Sequence, residues 1–402
     1  MKSIYKIAIL IVAVVIVAAG VFNYHFSQAT QTTPSSPSAT PTPTPTPNPS
    51  PTPAPTPTPT PTPAQGVALN GAGATFPFPL IDKWAAEYNK IKPNVLVNYQ
   101  GIGSGGGIQQ HTEKTVHFAA SDAPLTAAQA EKAPNTLHIP ITIGGVVPIY
   151  NIPDIPKGLK FTGEILAGIY LGEITKWNDP KIVAVNPGIS LPNQQIVVVH
   201  RSDGSGTTFI WTSYLSNISP KWKETVGRGT SVNWPVGLGG KGNDGVAALV
   251  KQTPYSIGYV EFTYAKKNNL AYGYVQNAAG EFIEPSIESF AKAADYAAVT
   301  LPRGDESWSK VSIVDSLAGN TQAKGAYPIT SFSYILVYKE LNVLPNMDEA
   351  SARTLVEFLW WAIHDGQNYA SDLYYVPLPS SVVKHNEATI RMITYNGQQL
   401  HK

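Results

Sequence analysis

Three stretches of this chain gather side chains with chemistry to offer: Gly101-Ile102-Gly103-Ser104-Gly105-Gly106-Gly107, Ser121-Asp122, and Arg201-Ser202-Asp203-Gly204-Ser205-Gly206-Thr207. The first satisfies the GxGxxG pattern of a dinucleotide-binding turn. Asp122 follows 21 residues after Gly101, near the spacing at which such folds hold a ribose. That pattern supports an NAD-binding enzyme, but it is a weak signal in a chain with 33 glycines and leaves the other loops unexplained. A phosphate-cradling Walker loop needs Gly-Lys followed by Ser or Thr, and Gly240-Lys241 is followed by Gly242. A hydrolase elbow needs Gly-x-Ser-x-Gly, and neither Ser104, preceded at two residues by Ile102, nor Ser205, preceded by Asp203, fits. None of the eight histidines makes a metal-binding pair at helical spacing, and His200 reads as a strand-end residue. Turn formation alone explains the glycines. It does not explain why hydroxyls, one Arg and one Asp collect in the same places.

The elements that must position these loops alternate short β-branched runs with helical stretches. Val95–Tyr99, Val116–Ala120, Ile196–His200 and Ile257–Val260 read as strands, and Leu80, Ile81, Trp84, Ala85 and Tyr88 share one helical face. This is the pattern of an α/β fold with largely parallel sheets, in which ligands bind beyond the carboxyl ends of the strands. The three loops each follow a strand, so they point to one shared site. Gly144-Gly145, inside the apolar stretch Ile139–Tyr150, and the run Tyr327–Tyr338 read as two crossings between lobes. They divide the globular part into a first lobe of residues 67–145 and 335–402 and a second of residues 146–334.

Composition narrows the setting. With 28 basic and 27 acidic residues and no basic cluster, nucleic acid is not an expected partner. The absence of cysteine removes disulfides, thiol catalysis, Cys-ligated zinc and a lipidated N-terminal cysteine. After Lys2 and Lys6 an apolar run extends from Ile7 to Phe22. Residues 1–29 are therefore either a cleavable signal peptide, with Ser27-Gln28-Ala29 as a small-residue cleavage site, or an uncleaved anchor that leaves the body outside. Residues 30–66 form a linker dominated by Thr-Pro repeats, a composition that cannot pack a core and favours polyproline II. Fully extended, its Thr-Pro stretch from Thr32 to Ala64 reaches on the order of 100 Å. So long and stiff a spacer serves a tethered protein better than a diffusing one, which favours the anchor.

Asn70-Gly71-Ala72-Gly73-Ala74-Thr75-Phe76-Pro77, Tyr99-Gln100-Gly101-Ile102-Gly103-Ser104, Ala120-Ser121-Asp122-Ala123-Pro124-Leu125 and Asp203-Gly204-Ser205-Gly206-Thr207, in this order, resemble the phosphate-binding subunit of phosphate ABC transporters. Trp234–Asn243 and Ile257-Gly258-Tyr259-Val260-Glu261 resemble it too, and the likeness extends from Asn70 to about Val382. The resemblance implies a two-lobed α/β fold of the type II periplasmic-binding-protein kind, with the ligand in the cleft between the lobes. It implies no catalysis and no cofactor or metal. It implies a monomer that delivers inorganic phosphate to the permease subunits of an ABC transporter at the outer face of the membrane.

By the same resemblance the anion is held by Thr75, the backbone of Phe76, Ser104, Asp122, Arg201, Ser205, Gly206 and Thr207, with Asp203 paired to the arginine. Gly105, where relatives often carry a second serine, and His200, where some carry another arginine, depart from the pattern outside that set. The chemistry suits the residue types: a buried oxyanion needs many directed donors to replace its hydration, and a guanidinium offers a planar fork. Helices beginning just after Thr75 and Ser205 would add free N–H groups. A carboxylate such as Asp122 repels an anion unless the ligand carries a proton to share, which phosphate does and sulfate does not. A binder of another oxyanion such as sulfate or molybdate, and a secreted phosphatase, are the alternatives that ligand identity and turnover separate from this reading. Asp122 as a mere cap of a helix beginning near Pro124 is the structural alternative for that residue.

The anchor makes a concrete prediction: the protein recovered from cells stays with the membrane fraction and N-terminal sequencing finds its N-terminus intact. A mature chain beginning at Thr30 in the soluble fraction would overturn it.

Overall fold

The computed structural model describes residues 66–297 and 300–401. The expectations for residues 1–29, and for all of the linker but Gly66, lie outside the described residues. The elements that build the site, labelled here in chain order, are β1 (Val67–Gly73), α1 (Phe78–Ile91), β2 (Val95–Gly101), α2 (Ser104–Thr112), β3 (Phe118–Ser121), β4 (Thr136–Asn151), β5 (Val197–Arg201), α3 (Gly206–Ile218), β6 (Leu238–Gly240), α4 (Gly242–Gln252), β7 (Ser256–Glu261), α5 (Phe262–Lys267) and β8 (Thr330–Tyr338). They sit in a nine-stranded curled sheet of order β2-β1-β3-β8-β4-β7-β5-β6, with Ala271–Tyr272 added at β4.

The pairings are parallel at both ends of this path and antiparallel in its middle. β1 runs parallel to β2 and β3, and β5 parallel to β6 and β7. β8 opposes both β3 and β4, and β4 opposes β7. The sheet is thus mixed rather than largely parallel, because β4 and β8 each run against both of their neighbours on this path. β4 is the long member, 16 residues. Its residues Thr136–Gly145 pair with β8, and Val146–Asn151 pair with β7, so it changes partner between Gly145 and Val146. Pro140 in this central strand, which cannot donate to the ladder, is accommodated where the register with β8 shifts at Ser333/Tyr334. At the change of partner a side chain has no room: a Cβ on Gly145 would lie 2.1 Å from the Phe290 ring, and one on Gly144 would lie 2.9 Å from the Phe76 ring.

The helices form where the apolar spacing and caps dictate. In α1, Leu80, Ile81, Trp84 and Tyr88 are buried on one face, and the indole of Trp84 donates to the Gly366 carbonyl at 2.7 Å. The helix stops at Lys92, ahead of Pro93. α2 lies directly on the ends of β1 and β3. A Cβ on Gly107 would meet Gly73 Cα at 2.5 Å, Ala72 O at 2.9 Å and Ala120 O at 3.0 Å. This contact sets the height of Ser104 over the strand ends. Since all three atoms are backbone and none can rotate away, Gly107→Ala is expected to cost about 1–3 kcal/mol. Urea or thermal unfolding of the variant reads that loss as a lowered midpoint.

Candidate functional site

The carboxyl ends of the parallel strands converge at the sheet's centre, and every residue singled out in the sequence arrives there on one of them. β1 delivers Thr75 and Phe76, the turn after β2 delivers Ser104 at the start of α2, and β3 delivers Asp122. β5 ends in Arg201 and leads through Asp203 to Ser205, whose hydroxyl caps α3 by accepting from Thr208 N at 3.0 Å. Thr75, Ser104, Asp122, Arg201, Ser205 and Thr207 are each at most 3% exposed, so water does not compete for their polar atoms. The lobes meet across this cluster: Gly105 N donates to Gly204 O at 2.8 Å and Gly206 N to Ser104 Oγ at 3.0 Å. Gly206 has no space for a side chain, since a Cβ would lie 2.5 Å from both Asp122 Oδ2 and Ser104 Oγ.

The Thr75–Phe76 peptide is fixed from outside the cleft. Tyr264 Oη, from α5, donates to Thr75 O at 2.6 Å, and Tyr375 Oη donates to Phe76 O at 2.6 Å. A trans peptide places the Phe76 N–H opposite the Thr75 carbonyl, so these two tyrosines aim that amide.

The hydroxyls are oriented by what they accept. A hydroxyl has one hydrogen and two lone pairs. Ser104 Oγ accepts from Asp122 N at 3.2 Å and Gly206 N at 3.0 Å. Thr75 Oγ1 accepts from Asn243 N at 3.2 Å and Asn243 Nδ2 at 2.9 Å. Thr207 Oγ1 accepts from Arg201 Nη1 at 3.4 Å and Asn243 Nδ2 at 3.2 Å. Both lone pairs are occupied in each case, which leaves each of these hydroxyls only a hydrogen to give.

Among the described residues Arg201 is the single buried Lys or Arg. Its Nε donates to Asp203 Oδ1 at 2.8 Å and its Nη2 to Asp203 Oδ2 at 2.5 Å, a two-pronged pair. Counting the Nη1 bond to Thr207, one Nη1–H and one Nη2–H remain for a ligand. Burial alone would raise the Asp203 carboxyl; the hydrogen bonds and charge of Arg201 outweigh it and hold that carboxyl below its ordinary value. Asp122 goes the other way. Burial raises its carboxyl to about 7, against the lowering effect of Ser333 Oγ, which donates to Oδ1 at 2.7 Å, and of the Arg201 charge. Asp122 Oδ2, within the same cluster of donors, has no protein partner. The arrangement is a cage of donors with one proton acceptor, suited to a small oxyanion that brings its own proton.

Asp122 does not cap the helix that follows. That helix begins at Ala127 and is capped by Thr126, with Gln129 completing a capping box. His200 stacks on Trp234 with ring centroids 4.8 Å apart and meets Arg201 O through Nδ1, so it belongs to the wall behind the arginine. Sequence reasoning did not pick out Asn243, Ser333, Glu261, Tyr264 and Tyr375 as site residues. Asn243 and Glu261 stand inside quoted motifs, which was the available signal; the tyrosines and Ser333 reach the site from separate segments and carried none.

A family profile described as a PBP superfamily domain matches residues 42–365. A phosphate-binding protein PstS of Pasteurella multocida is 48% identical over 321 residues, 80% of this chain and 89% of that protein. A protein of the same name from Xylella fastidiosa is 47% identical over 323 residues, 80% of this chain and 84% of that protein. The solved structure of a phosphate-binding protein from Stenotrophomonas maltophilia shares the fold, with a TM-score of 0.61 at 16% identity over 81% of this chain and 94% of that one.

Behind the cleft lies a second buried acid. Glu261, at the end of β7, caps α5 by accepting from Thr263 N at 3.0 Å and faces the hydroxyls of Thr263 and Tyr375 at 3.2 Å. Each of those hydroxyls already gives its single hydrogen to a carbonyl, Thr263 to Leu373 O at 2.5 Å and Tyr375 to Phe76 O. Their hydrogens are thus shared between a carbonyl and the carboxyl group, so they offset only part of its burial. Burial raises the group to about 8 from 4.5, with the charge of Asp122 adding to the shift and the Thr263 and Tyr375 contacts opposing it.

A carboxyl whose folded value is raised holds a proton that the unfolded chain releases. Its contribution is therefore fully present below about pH 4.5 and is lost as pH rises toward about 8. Asp122 adds a similar loss between 3.8 and about 7. Without ligand, the melting midpoint is expected to fall from pH 5 to pH 8, and Glu261→Gln to flatten part of that fall across this whole range. An unchanged slope in the Gln variant would show that Glu261 titrates normally.

Proposed function

The chain belongs to the phosphate-binding PstS family of solute-binding proteins, and from that premise we propose that it captures inorganic phosphate between its lobes. It then delivers the anion to the permease of an ABC transporter outside the cytoplasmic membrane. The observation that carries this reading is Asp122 Oδ2, a buried acceptor without a protein partner among groups that can only donate. Phosphate at neutral pH carries at least one hydrogen to give that oxygen. Sulfate carries none and would meet it as an unpaired, desolvated like charge. The Thr75, Ser104, Ser205 and Thr207 hydroxyls, the Phe76 amide and the two remaining Arg201 hydrogens serve the other oxygens.

The same donor polarity supports binding without turnover. Thr75, Ser104 and Thr207 have their lone pairs engaged, so none of these hydroxyls is poised as a nucleophile. The protein acts as a monomer, without a cofactor, tethered by residues 1–29 through the Pro/Thr linker of residues 30–66. The division into residues 67–145 with 335–402 and residues 146–334 remains our reading of the lobes. The pairing of all of Thr330–Tyr338 with β3 and β4 favours moving its second boundary to just before Thr330.

Competition binding with the full chain tests the proposal. The wild type should bind phosphate and ignore millimolar sulfate. Discrimination by a required hydrogen bond reaches factors of about 10⁴, and Asp122→Asn should lose part of it. A variant that still excluded sulfate fully and bound phosphate as tightly would remove Asp122 as the selectivity acceptor.

A further inference from the structure

Asn243 is the second residue of α4 and is fully buried. The orientation of its amide is set by a neighbour with no choice: Glu261 N–H, which can only donate, meets Oδ1 at 3.1 Å. The nitrogen must then face the cleft. There its two hydrogens go to Thr75 Oγ1 at 2.9 Å and Thr207 Oγ1 at 3.2 Å. Thr75 stands on the first lobe, whereas Thr207 and Asn243 stand on the second. The turn that presents Asn243 is tied to the arginine as well, since Gly242, at φ +71°, donates its N–H to Asp203 Oδ1 at 3.0 Å.

We propose that Asn243 is a positioning residue that sets the hydrogen-bond polarity of the site: one amide, reaching across the closed cleft, holds a hydroxyl of each lobe as a donor to the anion. The inference rests on the phosphate-binding reading and deepens it. When the lobes part, Thr75 loses both bonds from Asn243 and its hydroxyl is free to turn. When they close, its hydrogen is directed into the cleft. Closure and donor orientation are then one event, and an anion that needs donors stabilises the closed form.

Asn243→Asp isolates this role. It keeps the size of the side chain and the acceptor for Glu261 N–H, and an acid in the first turn of α4 suits the helix. It replaces the two amide hydrogens with lone pairs, which draw the Thr75 and Thr207 hydrogens away from the anion. A carboxylate also repels phosphate directly, and a double-mutant cycle with Thr75→Val separates the two effects.

Phosphate affinity is measured at pH 8 for the wild-type chain, Asn243→Asp, Thr75→Val and the pair, and again with Asn243→Ala in place of Asn243→Asp. Asn243→Asp is expected to weaken binding on the order of 100-fold, Asn243→Ala by about tenfold or less. In both cycles the double variant should bind far better than the product of the two single losses predicts, because Asn243 acts through the Thr75 hydroxyl. The Ala cycle decides the matter if the Asp variant does not fold. Losses that multiply, or an Asn243→Asp chain within about threefold of wild type, overturn the role of Asn243 and leave the phosphate reading standing. A wild type that binds no phosphate overturns both.

Discussion

Polar groups from two lobes are buried together here, shielded from bulk solvent. An unpaired buried donor or acceptor costs about 1–3 kcal/mol, so a cluster of this size must be satisfied nearly atom by atom. The consequences are visible in each residue. Arg201 is neutralised by Asp203, Ser104 accepts from both lobes, and Asn243 spends every polar atom it has. With the guanidinium paired to Asp203, the site carries no excess positive charge. Directed hydrogen bonds rather than bulk positive charge do the holding, and directed bonds discriminate between anions of similar size and charge where a positive field does not.

Such a site can exist only if the backbone comes very close, and the glycines mark where it does. Gly206 touches Asp122 and Ser104, Gly107 rests on Gly73, and Gly144 and Gly145 let the Phe76 and Phe290 rings lie against the strand that crosses between lobes. The side chains that hold the site's backbone in place are largely phenolic. Tyr264 and Tyr375 hold the carbonyls of Thr75 and Phe76, while Tyr259 Oη receives the Arg201 N–H at 3.3 Å and meets Thr208 Oγ1 at 2.7 Å. Tyrosine suits this task because its ring packs as core while its hydroxyl reaches one polar atom at a fixed distance. Behind Arg201 the rings of Trp211 and Tyr259 stack with centroids 5.0 Å apart, so the arginine is held against a rigid wall.

Much of this was written locally in the chain. The strands Val95–Gly101, Phe118–Ser121, Val197–Arg201 and Ser256–Glu261 fall within a few residues of the β-branched runs, and the buried face of Phe78–Ile91 carries four of the five residues its spacing named. The glycine and hydroxyl loops follow those strands in sequence, so their convergence at one end of the sheet followed from the α/β pattern. Ser104, Asp122, Arg201, Ser205 and Thr207 were legible because each sits in such a loop and carries a polar group that turn formation does not require, whereas Thr75 was named only by the family resemblance of Asn70–Pro77.

Tertiary structure decided the rest. Whether Asp122 caps a helix or faces the cleft depends on Thr126 taking the cap and on Ser333, 211 residues away, fixing one carboxylate oxygen. Tyr375 reaches Phe76 across 299 residues, and Asn243 reaches Thr75 across 168. No local pattern encodes such pairs, because the side-chain period of a helix or strand reports only which face is buried, not which distant atom meets it there. The middle of the sheet is antiparallel for the same reason: β4 and β8 read as apolar runs whatever their direction, and the return path of the chain sets that direction. The sequence determined which residue types stand at the strand ends. The packing of the two lobes determined which of their hydrogens and lone pairs remain for a ligand, because each polar atom's role is fixed by the partner that has already claimed its other bonds.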